Sequence, residues 1–320
     1  MAIAPSRFDQ TLGDDLARVE EELALVGHDA GPVLYEAIRH HLHTGGKRIR
    51  PRLALMAGHL ICGYIPDGLV RFAAVTELVH AASLVHDDTL DEAATRRGIT
   101  TVSAQWGNQV AVLVGDYLFA QAALLTAGLE SVRLMAILAT TIQALVQGEL
   151  RQMSAAYRVQ ASAENYESRI GAKSASLFVL AAEGGATCVG ASAEQALALQ
   201  RYAYAMGLAF QIADDVLDYT ATDQELGKPA GSDLANGVIT LPALYYLQSL
   251  VSDAAERHII EEGGDVGRLV QAIRASDAPA RALDYARELV DRAVAELSTF
   301  PDTVERAALA ALARSAISRR

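Results

Sequence analysis

Apolar residues in this chain return every three to four positions over long stretches, and that period is the strongest constraint on what it can fold into. Between Leu69 and Asp91, Phe72, Val75, Val79 and Ala82 recur as they would along one helix face. The same period runs through residues 8–26, 108–129, 130–153, 193–219 and 278–299. Alternating strands flanking a tight turn are not seen, so no β-hairpin is expected, and no fixed-period repeat occurs. Helix starts are legible at Ser192 with Gln195 and at Asp302 with Glu305, both of capping-box pattern, with Pro301 ending the helix before the second. Breaks are expected at Gly63–Gly68, Gly184–Gly190, Gly227–Gly237 and Gly263–Gly267. The breaks are short and no Ser/Gly/Pro linker divides the chain. The sequence therefore predicts an all-α fold, a single domain over residues 1–320 built as an antiparallel helical bundle.

Composition excludes several classes of function. Of the 320 residues, 51% are hydrophobic and 21% charged, enough for a sizeable core and too apolar for a disordered chain. Lys+Arg is 27 against 39 Asp+Glu, a net charge of −12, which argues against a nucleic-acid partner. Two cysteines, Cys62 and Cys188, cannot build a disulfide framework or a thiolate zinc site. The opening MAIAPSRFDQ lacks a basic segment followed by an apolar run. The best candidate for a bilayer span, from Val110, is broken by Asp116, so no transmembrane segment is expected and the protein reads as cytoplasmic.

Two segments carry the same unusual arrangement. HDDTLDEAATRRG holds Asp87, Asp88 and Asp91; FQIADDVLDYT holds Asp214, Asp215 and Asp218. In each, the outer aspartates stand four apart and point from one helix face. Like charges at that spacing destabilise a helix by some tenths of a kcal/mol, and Asp is a poor interior helix former. Both segments follow strongly apolar stretches, LVHAASLVH and YAMGLAFQIA, as expected of buried helices. Paired oxygen ligands with no His or Cys cluster beside them favour Mg²⁺ over zinc. Magnesium keeps one or two carboxylates and completes its shell with water and phosphate oxygens. Two such clusters facing each other across a cavity would hold a polyphosphate through bridging metals.

The basic blocks agree. GGKRIRP places two glycines before Lys47, Arg48 and Arg50, a cation cluster suited to a diphosphate and misplaced for the dipole of a helix start. No GxxxxGK[ST] or GxGxxG nucleotide loop occurs. Arg96 and Arg97 follow the first acidic cluster; KSASLF spans residues 173–178; GKPAGSDLANG spans residues 227–237. His40, His41 and His43 read as helix-end residues, favourable at the negative dipole terminus, rather than as a metal cluster.

With both DDxxD motifs and these blocks, residues 44–242 resemble the trans-isoprenyl diphosphate synthases, the polyprenyl synthetase family. The resemblance implies a bundle of isoprenoid-synthase type around a deep central cavity, a homodimer, and Mg²⁺ held by Asp87, Asp88, Asp91, Asp214 and Asp218. Lys47, Arg50, His80 and Arg97 would bind isopentenyl diphosphate. Arg96, Lys173 and Lys228 would bind the allylic diphosphate, and Ser174 and Gln211 would present oxygens near the cationic centre. One position departs from the family: Val238 stands in GVITLP where a Lys is common, which removes a cation from the rim of the allylic site.

The reaction implied is head-to-tail prenyl transfer. Metal-bound carboxylates with Arg96, Lys173 and Lys228 stabilise the departing diphosphate, each such donor typically worth about 3 kcal/mol in the transition state. The isopentenyl double bond then attacks the allylic cation, and the lost proton goes, by family analogy, to the released diphosphate. Ala82 and Ser83 lie four to five residues before Asp87, about 6–8 Å up the helix. Where short-chain members carry a Tyr or Phe, these small residues leave the tail channel open, so a long-chain, quinone-type product is expected. A shorter farnesyl or geranylgeranyl product, a terpene cyclase and a non-catalytic subunit of a heteromeric synthase are the alternatives. Two intact DDxxD motifs argue against the cyclase, and six retained aspartates argue against the silent subunit.

Overall fold

Long helices form where the period predicts them. The computed structural model describes residues 7–43, 45–157, 162–221, 230–250, 259 and 264–318. In chain order the helices are α1 (Arg7–Ala24), α2 (Pro32–Leu42), α3 (Ile49–Cys62), α4 (Asp67–Leu90), α5 (Val102–Trp106), α6 (Asn108–Ala127), α7 (Val132–Ala155) and α8 (Ala163–Ile170). A π-helical turn, Gly171–Ala175, joins α8 to α9 (Ser176–Cys188). There follow α10 (Ala193–Thr220), α11 (Ser232–Ala235), α12 (Leu241–Ser249), α13 (Val266–Ala275), α14 (Ala278–Glu296) and α15 (Val304–Ser315). The fold is all-α.

The chain groups into two compact units interleaved in sequence. One comprises Met1–Ile142, Leu177–Ala203 and Leu297–Leu309; the other comprises Gln143–Ser176, Tyr204–Glu296 and Ala310–Arg320. In the first unit α4 is the core helix, packed on α1, α3 and α6. Leu69, Phe72, Val75, Leu78, Val79 and Ala82 are all fully buried. Each large apolar side chain so buried stabilises the fold by about 1.5–3 kcal/mol relative to exposure. A helix apolar all round belongs in a core. By length and composition alone, Asp67–Leu90 and Asn108–Ala127 could cross a membrane. The first has its apolar surface buried within its unit, and the second packs on α4 and carries Asp116.

In the second unit, α12 and α13 pack on α14. Tyr219, fully buried, accepts a hydrogen bond from Thr240 Oγ1 at 3.1 Å. Tyr285 reaches Glu167 at 2.8 Å, tying α14 to α8.

Three local expectations are corrected. First, Thr95–Arg96 and Ile99–Thr100 form a two-residue antiparallel pair, a minimal hairpin. Its turn residues, Arg97 (φ 52°) and Gly98 (φ 77°), both take left-handed backbone, the requirement of a tight two-residue hairpin turn. The strands are too short to show alternation, which is why the pattern hid it. Second, the capping box at Ser192 and Gln195 forms, with reciprocal bonds of 3.2 and 2.9 Å, but the one at Asp302 does not. Thr303 caps α15 instead, its hydroxyl 3.3 Å from the Arg306 amide, while Asp302 pairs with the Arg306 side chain and Glu305 with His59. Third, Gly184 and Gly185 sit inside α9 rather than breaking it. A Cβ at Gly185 would lie 2.4 Å from the Ala54 carbonyl and one at Gly184 2.2 Å from the Phe72 ring, so these glycines let α9 approach α3 and α4.

Candidate active site

In the first unit, α4 ends in the acidic cluster. The Asp91 amide closes the last turn on the Asp87 carbonyl at 2.8 Å, keeping the two outer residues on successive turns. Asp87 is half-buried, Asp91 exposed and Asp88 only 3% exposed. No basic residue occupies the last turn of α4, nor that of α10. Carboxylates at a helix C-terminus oppose the macrodipole, at a cost of about 0.3–1 kcal/mol each, so neither cluster is placed for helix stability.

The three aspartates do not behave alike. Arg96 folds back from the hairpin and takes both oxygens of Asp88, at 2.8 and 3.0 Å from Nε. Arg97, in strained left-handed backbone, donates to the Gly45 carbonyl and so joins the hairpin to the GGKR segment. Arg48, also left-handed at φ 46°, is turned inward to Glu20 and Glu77 at 2.6 and 2.7 Å. Lys47 stays exposed, and Arg50 lies over the Phe178 ring, 5.1 Å from its centroid.

His80, on α4, reports how these cations converge. Burial, then the charges of Arg50, Arg96 and Arg97, hold its imidazole well below the usual histidine range. Its Nδ1 is buried with no hydrogen-bond partner among the described residues. The structure thus brings Arg50, His80, Arg96 and Arg97 into one electropositive neighbourhood suited to an anion. His41 lies in the last turn of α2, as its position predicts, but without the charge that would favour the dipole. It is buried, its Nε2 meets the Ala81 carbonyl at 3.0 Å, and burial pushes it down to about 4, so it is neutral. Ala82 is fully buried, whereas Ser83 is half-buried with its hydroxyl on the His80 carbonyl at 2.8 Å.

In the second unit the other acidic cluster occupies the last two turns of α10. Asp214 is half-buried; Asp215 and Asp218 are 3% and 2% exposed. Asp218 accepts from Ser232 Oγ at 3.2 Å and from the Asp233 amide at 3.3 Å, and its carbonyl accepts from the Gly231 amide at 2.7 Å. Asp215 accepts from Tyr166 and Gln211, and burial, with Asp233, pushes its carboxyl up to about 7. The π-helical turn carries Lys173, ion-paired with Glu149, and Ser174, which donates to Gln211 Oε1 at 2.6 Å. Val238 is half-buried and its amide bonds the Asp233 carbonyl at 2.8 Å. Lys228 lies outside the described residues.

Sequence reasoning missed Tyr166, Glu149 and Arg169. Tyr166 precedes Lys173 by two helical turns, but an isolated Tyr in a helix carries no motif; only the fold reveals its partner.

The donor chemistry fits a hard cation. Among the described residues no three His, Cys, Asp or Glu side chains converge on one metal shell. The oxygens least enclosed by protein are those of Asp87, Asp91 and Asp214, in ones and twos. Magnesium is bound in that way, with water and phosphate completing its shell.

The family model described as polyprenyl synthetase matches residues 31–275. The chain is 39% identical over 305 residues to heptaprenyl diphosphate synthase component 2 of Geobacillus stearothermophilus, covering 94% of this chain and 95% of that protein. It is similar in structure to a decaprenyl diphosphate synthase from Rhodobacter capsulatus, with a TM-score of 0.91 at 34% identity over 98% of both chains. A polyprenyl synthase from Caulobacter crescentus, complexed with calcium and isoprenyl diphosphate, also gives a TM-score of 0.91 at 34% identity, over 97% of this chain and 96% of that one.

Proposed function

This chain belongs to the polyprenyl synthetase family and is a prenyl-transferring enzyme; from that premise we propose a Mg²⁺-dependent synthase that condenses isopentenyl diphosphate with an allylic diphosphate into a long-chain all-trans polyprenyl diphosphate. The observation that carries the metal requirement is the split within each acidic cluster. Asp88 and Asp215 are buried, while Asp87 and Asp214 are half-buried and Asp91 exposed, at helix ends that disfavour negative charge. Bound Mg²⁺ would neutralise the diphosphate so that it can leave.

The chain's own residues do the rest. Arg50, His80 and Arg97, with Lys47, hold the isopentenyl diphosphate and aim its double bond. Lys173, with Lys228 and Arg96, holds the allylic diphosphate. The allylic carbon–oxygen bond breaks, the isopentenyl double bond forms the new carbon–carbon bond, and a proton leaves the resulting cation for the released diphosphate. Exclusion of water protects that cation.

Heptaprenyl and decaprenyl products, in the names of similar proteins, support a long chain. The partner we propose is a second copy of the chain, supported by α6, where Val112, Leu113 and Leu124 are exposed.

The test is incubation of the purified chain with Mg²⁺, farnesyl diphosphate and labelled isopentenyl diphosphate, followed by chain-length analysis. Elongated polyprenyl diphosphates are expected, abolished by EDTA. Asp87→Ala and Asp214→Ala should each slow turnover at least about 100-fold. Cyclised products would indicate a terpene cyclase, silence a non-catalytic subunit; either result overturns the proposal.

A further inference from the structure

Tyr166, Asp215, Gln211 and Ser174 form one continuous chain of hydrogen bonds inside the second unit. The Tyr166 hydroxyl donates to Asp215 Oδ2 at 2.7 Å, Gln211 Nε2 donates to Asp215 Oδ1 at 2.8 Å, and Ser174 Oγ donates to Gln211 Oε1 at 2.6 Å. The direction of each bond follows from chemistry. In its ionised form Asp215 only accepts, and that form turns the amide nitrogen of Gln211 toward it. The Gln211 carbonyl oxygen is thereby turned to Ser174. Since that oxygen only accepts, the single hydroxyl proton of Ser174 is committed to it, and the Ser174 oxygen has only lone pairs left to offer.

The two ends of this chain differ in setting. Tyr166 and Asp215 are 2% and 3% exposed. The Arg169 guanidinium lies 5.5 Å from the Tyr166 ring centroid and donates to the Ile239 carbonyl at 2.8 Å, anchoring that end in the core of the unit. Ser174 and Gln211 are half-buried, and Ser174 rides on the π-helical turn, a geometry that recurs at functional sites. Tyr166 and Asp215 are so enclosed by protein that they offer almost no surface to a ligand.

We propose that Tyr166 and Asp215 are positioning residues which, through Gln211, lock the Ser174 hydroxyl as a hydrogen-bond acceptor directed at the developing allylic cation. This rests on the prenyl-transfer reading and deepens it: the middle aspartate of the second cluster orients a neutral oxygen rather than binding metal. Acceptor lone pairs stabilise positive charge at the reacting carbon, and a hydroxyl proton presented there would oppose it. The network acts on charge that appears only in the transition state, so its loss lowers kcat rather than substrate binding.

The experiment compares the full-length wild type with Tyr166→Phe, Asp215→Asn and Ser174→Ala. Steady-state kcat and KM are measured for both diphosphates, with thermal midpoints as a check on folding. Affinity is measured for a cationic ammonium analogue of the allylic diphosphate and for its neutral carbon isostere, both with Mg²⁺. Each variant is expected to lose at least about tenfold in kcat with both KM values within about twofold. Each should also lose a similar factor in its preference for the cationic over the neutral analogue. Ser174→Ala, at the half-buried end, covers the case in which a core substitution fails to fold. If the cationic preference persists in the folded variants, the positioning role is wrong even where kcat or thermal midpoint has fallen. If the wild type itself makes no prenyl product, the underlying reading fails and this proposal falls with it.

Discussion

Arg96 closes a forked ion pair on Asp88, with Nε 2.8 and 3.0 Å from the two carboxylate oxygens and Nη2 2.8 Å from Oδ1. The pair joins the hairpin after α4 to the middle of the first acidic cluster. It covers that buried aspartate with a guanidinium, while Asp87, half-buried, and Asp91, exposed, lie to either side of it on the same helix end. A motif of three similar side chains is thereby divided by environment.

That division predicts opposite phenotypes. Asp88→Asn should lower the unfolding free energy by about 2 kcal/mol, toward the small end for a broken buried pair because Arg96 remains about a third exposed. Its Mg²⁺ concentration for half-maximal activity should stay within about twofold of wild type. Asp87→Asn should do the reverse, moving the Mg²⁺ curve at least about tenfold with little change in thermal midpoint. Paired Mg²⁺ titrations and melts decide it: equal displacement of the Mg²⁺ curve by both variants would refute the division.

Product length should respond at Ser83 rather than at Ala82. Ala82 has no exposed surface, so Ala82→Tyr must push apart packed helices in the first unit, costing about 1–3 kcal/mol. Ser83 is half-buried, its hydroxyl satisfied by the His80 carbonyl, so Ser83→Phe meets less packing than Ala82→Tyr. Ser83→Phe is expected to yield shorter polyprenyl diphosphates at near-normal thermal midpoint, and Ala82→Tyr a lowered midpoint. Chromatography of the dephosphorylated products gives the result. An unchanged length distribution from Ser83→Phe would mean this face of α4 does not border the growing tail.

Acid should destabilise the fold through His41. Burial, joined by the charges of Arg96 and His40, outweighs the Ala81 carbonyl and Asp88, leaving a folded value of about 4 against 6.5 for the free side chain. Above pH 6.5 the ring is neutral in both states and has no effect. Below it the unfolded chain takes up a proton that the folded chain refuses, so stability falls with pH by up to about 1.4 kcal/mol per unit until about pH 4. Denaturant unfolding across that window should show the slope reduced in His41→Gln. An identical slope in that variant would assign the acid sensitivity to other groups.

Much of the architecture was legible before any coordinates. The apolar period located α4, α6, α7, α10 and α14 within three residues of their observed ends, because burial of one face imposes its spacing on the sequence. The hairpin at Arg97–Gly98 was not, since two-residue strands leave no pattern. Gly184 and Gly185 looked like punctuation and proved to be contact points, because a glycine that breaks a helix and one that admits a neighbour are written identically.

Within the site, residue types and local spacing determined the chemistry: paired carboxylates, a cation cluster, and a Lys–Ser pair beside a second acidic motif. These are properties of neighbours along one helix, and sequence records them directly. What tertiary structure alone decided is which aspartate is buried and which side chains donate to it. Asp88 and Asp215 carry the same letter as Asp87 and Asp214, but Arg96 lies eight residues away from the first and Tyr166 forty-nine from the second. A carboxylate's role follows from who donates to it and how dry it is, and both depend on contacts that chain order does not encode.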